Sequence, residues 1–423
     1  MRPDTIRWFA VLSLVPFIMV LGNSMLIPVL PAIRSHLHLT MVQTGLVITA
    51  FSLPAAVTIP FAGALSDRVG RKAVMVPALV LYGIGGILAG LSAWLLPGRF
   101  WPIVGARVLQ GIGAGGTYQL SMALVGDMFQ STERSQALGW LEASNGLGKV
   151  VSPLLGALAA LASWFLPFFL YGVLALPVAF GVHRAVREKA PRREEGGVAR
   201  YLRQIPEIAR RRGAALSAAY GAGMLLLFAL FGLLSLLSDE LEARHRLSQL
   251  ARGGIIAIPV GMMAIASFTS GRSLQTRPER LKPLSVIGLI CAAAALGALA
   301  FVSRPLWLTI ALSALLGLGT GLTLPAVNTL ITGAVSRDHR GVVTAFYGTV
   351  RFGGVAVGPP LFGLATQATA RLAVFAGTAL ALAALAWALS VVRVSSGPSP
   401  AQAGGPAQLA PAPGGVKGQP DET

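Results

Sequence analysis

Long apolar stretches alternate with short polar islands along this chain, and the stretches are of similar size. Uncharged or nearly uncharged runs, twelve in all, centre on residues 8–33, 43–66, 73–97, 100–126, 136–160, 164–182, 213–238, 253–271, 283–303, 305–336, 341–370 and 372–392. A helix needs roughly 20 mostly apolar residues to cross the ~30 Å hydrocarbon layer of a bilayer, and each run is about that long or longer. The pattern predicts an all-α integral membrane protein with twelve transmembrane helices. The first run is too long for the core of a cleaved signal peptide and lacks a small-x-small site before Arg34, so it reads as a retained helix.

Composition agrees with the pattern: 54% of the 423 residues are hydrophobic and only 12% are charged, more apolar surface than one water-facing core hides. Charge adds orientation. With both ends on one side, the segments on that side hold 24 Lys and Arg and the opposite segments hold seven. Positive loops stay in the cytoplasm, so both termini are expected there, in a cytoplasmic membrane. The net charge of +18 is then mostly a topology signal rather than a nucleic-acid footprint. A single cysteine, Cys291, excludes an intrachain disulfide or a cysteine metal cluster. The five histidines fall near the run edges, and no phosphate-binding loop or pair of carboxylates within one apolar run occurs. An enzyme, a bound cofactor and a metal are therefore not expected.

Two segments of the chain overlay without a gap. GIGAG at Gly111 to Gly115 matches GLGTG at Gly317 to Gly321, Arg134 matches Arg340, Gly148 matches Gly354 and Pro153 matches Pro359. The constant offset makes helices 4 and 5 equivalent to helices 10 and 11, hence two six-helix bundles related by a pseudo-two-fold axis along the membrane normal. The expected organisation is an N-terminal bundle over 1–183, a cytoplasmic linker over 184–212, a C-terminal bundle over 213–394 and a disordered cytoplasmic tail over 395–423. The linker carries Tyr201, Leu202, Ile205 and Ile208 at helical spacing, so an amphipathic surface helix is one reading and a solvated linker the other. The tail is rich in Pro, Gly, Ala and Ser and has too little apolar bulk to fold.

GALSDRVGRK, between runs 2 and 3, packs Asp67, Arg68, Arg71 and Lys72 into ten residues. It resembles the signature loop of the major facilitator superfamily, G-x-x-x-D-R-x-G-R-K, with Gly63, Asp67, Arg68, Gly70, Arg71 and Lys72 in place. RVLQGIGAG at Arg107 resembles the helix 4 motif of the drug and proton antiporter branch. GKVVSPLLGA on helix 5 is a looser match to the antiporter motif, with Ser152 and Ala157 where glycines are expected. Gly63 would let neighbouring helices approach, Gly70 would permit a tight reversal, and Asp67 would favour a helix N-terminus. The resemblance implies that Asp67 reaches the start of helix 11 near Gly341 and that Arg71 pairs with Asp127. Together they would latch the two halves on the cytoplasmic side.

Four charges lie within runs: Arg107, Glu142, Lys149 and Arg351. A charge at the centre of a spanning helix costs at least ~2.5 kcal/mol on insertion scales, so it faces a cavity or a partner. Glu142, Asn145, Lys149 and Ser152 recur at spacings of three and four, as do Arg107, Gln110, Thr117 and Ser121 on helix 4. With Asn23 on helix 1, they are expected to line a substrate cavity. Glu142 is the expected proton-coupling acid, with Lys149, Arg107, Arg351 and Asn145 around it, although a structural Glu142–Lys149 pair is an open alternative. Three cations against one acid favour an anionic or zwitterionic substrate at least as well as a lipophilic cation.

The expected function is secondary active transport by alternating access: proton-coupled export of small amphipathic molecules, of the drug-efflux type. The alternatives are a symporter, facilitator or exporter specific for an organic anion such as a siderophore or lipid-like metabolite, or a non-transporting membrane sensor. The partners expected are a small-molecule substrate, the lipid bilayer and no nucleic acid, for a monomeric protein driven by the proton gradient.

Overall fold

The computed structural model describes residues 3–128, 131–186, 188, 197–301, 305–333, 340–365 and 367–391. Fourteen α-helices among the described residues make twelve spans. The first span runs through α1 (Pro3–Ser24), a 3-10 turn at Ile27–Val29 and α2 (Leu30–Leu37). Pro28 and Pro31 have no N–H to give, so the chain passes this point on a tighter turn. α3 (Met41–Val69) and α4 (Arg71–Leu95) follow.

The fourth span is broken into α5 (Phe100–Gly115) and α6 (Tyr118–Met128). At the break, the N–H groups of Gly116 and Thr117 donate to Gly113 and Ala114, three residues back, each at 3.2 Å. α7 (Ser131–Ala162) and α8 (Leu166–Ala185) complete the first half. The second half comprises α9 (Gly197–Ala243), α10 (Gln249–Thr276), α11 (Leu281–Ala300), α12 (Leu306–Gly333), α13 (Arg340–Gly363) and α14 (Ala368–Val391).

Ten spans qualify by length and apolarity on their own. The other two are the broken α5–α6 pair and α13, which carries Arg351. The C-terminal part of the expected linker, 197–212, is helical and continuous with the seventh span. The side chains of Arg134, Tyr201, Leu202, Ile205 and Ile208, and the whole tail, fall outside the residues described in full.

The internal repeat is visible in the packing. α3 rests on α5 as α10 rests on α12; α1 rests on α7 as α9 rests on α13; α4 rests on α8 as α11 rests on α14. The matched glycines explain why. A Cβ at Gly111 would lie 2.2 Å from the Phe51 carbonyl oxygen, and one at Gly317 would lie 2.0 Å from that of Pro259. Only glycine lets these helix backbones meet so closely. Two seams join the halves, α3 against α13 and α7 against α10. Across the first, Thr349 donates to the Ala56 carbonyl at 2.8 Å and Thr49 to that of Ala356.

Candidate functional site

At mid-depth along these seams, charged and aromatic side chains from both halves converge. α6 supplies Tyr118, whose hydroxyl donates to Glu142 Oε1 on α7 in a very short contact. Lys149, two turns further along α7, lies within the electrostatic reach of both Glu142 and Arg351. Glu142 and Lys149 nevertheless form no direct ion pair among the described contacts. Arg351 comes from α13, with its guanidinium 5.3 Å from the centre of the Tyr347 ring, and it also acts on Tyr118 from across the seam. Its Nε is buried without a hydrogen-bond partner, as is the Tyr347 hydroxyl. Glu142 retains exposed surface and Lys149 partial exposure. The cluster therefore contains one acid, two cations and unspent hydrogen-bonding capacity.

The polar stripe of α7 divides between two faces. A step of three residues falls about 60° short of a full turn, so Asn145 and Ser152 look to one side of the line joining Glu142 and Lys149. Asn145 is buried and donates to the Pro16 carbonyl of α1 at 3.4 Å, while Ser152 is fully buried with its hydroxyl unpartnered.

Arg107 is not brought to the cluster. It is fully buried within the first half and donates to carbonyls of Val47 (3.1 Å) and Gly22 (2.8 Å), to Gln110 (2.6 Å), to Asn23 (2.6 Å) and to the Tyr171 hydroxyl (3.3 Å). Its guanidinium also stacks 4.6 Å from the Phe51 ring centre. Asn23 in turn donates to Ser52 at 2.7 Å. Neutral oxygens on three neighbouring spans satisfy the charge, so this arginine ties α1, α3, α5 and α8 together. Thr117 and Ser121 are buried and bond back to backbone carbonyls of their own span. Of the residues expected to line a cavity, Asn23, Arg107 and Gln110 thus lie in a network between helices, Thr117 and Ser121 bond within their own span, and Ser152 is buried. A 3.6-residue period marks a polar face without saying whether water or a neighbour covers it.

The Gly63–Lys72 loop combines agreement with revision. Gly70 has φ of 106°, the reversal expected of glycine, and Arg71 Nε reaches Asp127 at 3.3 Å. The close helix approach expected at Gly63 is absent, since a Cβ there would meet nothing within 4 Å. Asp67 sits in the last turn of α3 and pairs with Arg71, and the N-terminus of α4 is capped from elsewhere. The cap is Glu188, whose carboxylate accepts from the N–H groups of Arg71 (2.6 Å) and Lys72 (2.9 Å). Lys72 Nζ donates to the Val186 carbonyl at 2.8 Å, and Arg68 is exposed. The surroundings of Gly341 lie outside the residues described in full. Losing a side-chain cap costs on the order of 1 kcal/mol, so Glu188→Ala should lower the thermal unfolding midpoint of the purified protein by a few degrees. An unchanged midpoint would show that the cap carries no stability.

The profile of the Major Facilitator Superfamily matches residues 12–359 and 280–420. The chain belongs to the major facilitator superfamily. This facilitator is 37% identical over 353 residues to the bacillibactin exporter of Bacillus subtilis (strain 168), spanning 83% of this chain and 88% of that one. It is 30% identical over 163 residues to multidrug resistance protein 2 of the same organism, covering 38% of this chain and 40% of that one. Among solved structures, the human organic anion transporter MFSD10 superposes with a TM-score of 0.70 at 21% identity, over 92% of this chain and all of that one. A bacterial homolog of the human lysosomal transporter Spinster, inward-facing and unoccupied, superposes with a TM-score of 0.67 at 19% identity, over 92% of this chain and 96% of that one. This facilitator is thus a multi-pass membrane transport protein of the two-bundle fold.

Sequence reasoning passed over four side chains of this facilitator that the structure brings forward: Tyr118, Tyr347, Glu188 and Asp239. Tyr118 opens α6, directly after the break that follows α5, which the uninterrupted apolar run does not show. Tyr347 lies one helical turn before Arg351, a spacing that could have flagged it. Nothing in the sequence singled out Glu188 among the charges of its segment.

Proposed function

We propose that this protein exports small amphipathic molecules bearing negative charge, in exchange for protons. The observation carrying this reading is the mid-depth cluster itself, in which Lys149 of the first half and Arg351 of the second lie within electrostatic reach of each other, beside one acid, Glu142, that holds a tyrosine hydroxyl. Two cations from different halves would hold an anion in a geometry that changes when the halves move. Glu142 would exchange Tyr118 and a proton as partners in the same movement. The similarity to an exporter of bacillibactin favours a siderophore-like substrate, and Tyr118, Tyr347 and Tyr220 would supply aromatic surface. Asp67, Arg71, Asp127 and Glu188 would steady the cytoplasmic end, the latch role implied by the signature loop.

The decisive assay is uptake into inside-out proteoliposomes of an anionic, aromatic, siderophore-like probe under an imposed pH gradient, acid inside. Accumulation that collapses with the gradient supports the reading. Accumulation that persists without a gradient, or that favours lipophilic cations over the anion, refutes it.

Orientation is tested separately. In a Cys291→Ser background, Arg68→Cys should be labelled from the cytoplasm and Ser35→Cys from outside, since both native side chains are exposed and lie at opposite ends of the bundle. Labelling of both from the same face would overturn the assigned topology.

A further inference from the structure

The end of the molecule opposite the Gly63–Lys72 loop is held shut by several contacts between the halves. A Cβ on Gly45 of α3 would lie 2.6 Å from the backbone of Pro360 on α13, and one on Gly253 of α10 would lie 2.6 Å from the Ala157 side chain on α7. One ion pair joins the halves among the described residues: Arg34 Nη1 of α2 lies 3.2 Å from Asp239 Oδ1 of α9.

The segment around Asp239 has a distinct construction. SDELE, residues 238–242, places three acids on the last turns of α9, and successive helical angles send them toward three different elements. Asp239 meets Arg34 of the first half, Glu240 meets Arg371 of α14, and Glu242 meets Arg252 of α10 at 2.9 Å. The last two pairs stay inside the second half and can move with it as a unit. The first cannot survive separation of the halves at this end.

Burial makes that pair responsive. The Asp239 side chain is 4% exposed and its Oδ1 makes no hydrogen bond, so charge attraction is what holds it to Arg34. Arg34 is 25% exposed, which leaves a route for protons from the adjoining solution. The charged groups within electrostatic reach of Asp239 are Arg34 from α2, Arg252 from α10, and Glu240 and Glu242 from its own helix. Elsewhere at this end, Arg371 of α14 is taken up by Glu240, and Arg244 and His245 line a small pocket with it. His36 of α2 stacks on Trp164, and the described end of α13, Val355–Gly363, contributes no charge.

We propose that Asp239 is a proton-operated lock on the outer end of the transporter. As a carboxylate it binds Arg34 and keeps the outer end closed. When a proton from outside neutralises it, the inter-half attraction is lost and the outward-open arrangement gains population. The assignment extends the transport cycle to a second acid, distant from Glu142. It stands on the two-bundle fold and the closed outer end, independently of which substrate is carried.

The test reads distance rather than transport. Full-length protein in nanodiscs, in the Cys291→Ser background, receives spin labels at Ala162→Cys and Gln367→Cys, exposed sites at the outer end of each half. The unsubstituted lock should show a short distance at about pH 8 and a longer population growing toward about pH 5, by up to ~tenfold per pH unit for one proton. Asp239→Asn should show the longer population at high pH with a flat pH profile. Should that variant not fold, Arg34→Gln applies: it should raise the longer population at high pH and weaken the pH response. A pair that merely stabilises the fold predicts that opening remains pH-dependent without Asp239. Retention of the wild-type pH profile in Asp239→Asn, or an unchanged high-pH population in Arg34→Gln, overturns the proposal.

Discussion

Glu142→Gln protein in proteoliposomes is expected to lose transport driven by a pH gradient, down to the background of empty vesicles, while retaining exchange of labelled for unlabelled substrate. Gln keeps the size of the neutral carboxyl and accepts the Tyr118 hydroxyl, but it carries no exchangeable proton. Exchange needs only the loaded carrier to reorient, whereas net export needs the empty or proton-loaded carrier to return. The two readings of Glu142 separate in the double mutant. If Glu142 and Lys149 serve only to offset each other's burial, each single neutral substitution should lower folded yield, and Glu142→Gln with Lys149→Met should restore it. If Glu142 is the coupling acid, the double mutant stays uncoupled whatever its yield. Wild-type gradient-driven transport by well-folded Glu142→Gln protein would end the coupling assignment.

The second large effect concerns the cations. Lys149→Met and Arg351→Met should each weaken binding of the anionic probe by ~10–100-fold, the loss of one charge-assisted hydrogen bond of roughly 1.5–3 kcal/mol. Arg351 has the clearer structural reason, since its buried Nε has no protein partner and remains free for a ligand oxygen. Arg351→Lys should rescue poorly, because an ammonium does not reproduce the planar fork or its placement over the Tyr347 ring. Titration calorimetry or ligand-induced thermal shift measures both. Undiminished affinity in both Met variants would remove the cations from the binding site and leave the anionic substrate class without a structural basis.

The chain's periodicity carried much of the architecture. Twelve apolar runs were countable because lipid tolerates few unpaired charges, so every polar island marks a turn back into water. The duplication was legible too, since the paired glycines at Gly111 and Gly317 sit where backbones meet and no larger residue fits. The broken fourth span was less so: its run reads as one helix of full length, and the break at Gly116 shows only in the hydrogen bonds.

For the candidate site, residue type and spacing identified which side chains are unusual, and tertiary structure decided what they face. Arg107 and Arg351 are alike in sequence, each a lone arginine in an apolar run. The fold surrounds Arg107 with carbonyl, amide and hydroxyl oxygens of three neighbouring spans, while it leaves Arg351 at a seam with an unspent nitrogen. Asp239 is the converse case: it sits in a charged patch at the end of a run, where solvation is the ordinary expectation, and only the approach of Arg34 from the other half encloses it. Local sequence determines helix, span and orientation because those respond to the chain's own hydrophobicity and charge. The fate of a buried charge depends on partners contributed by distant segments, and their identity follows from how the helices cross.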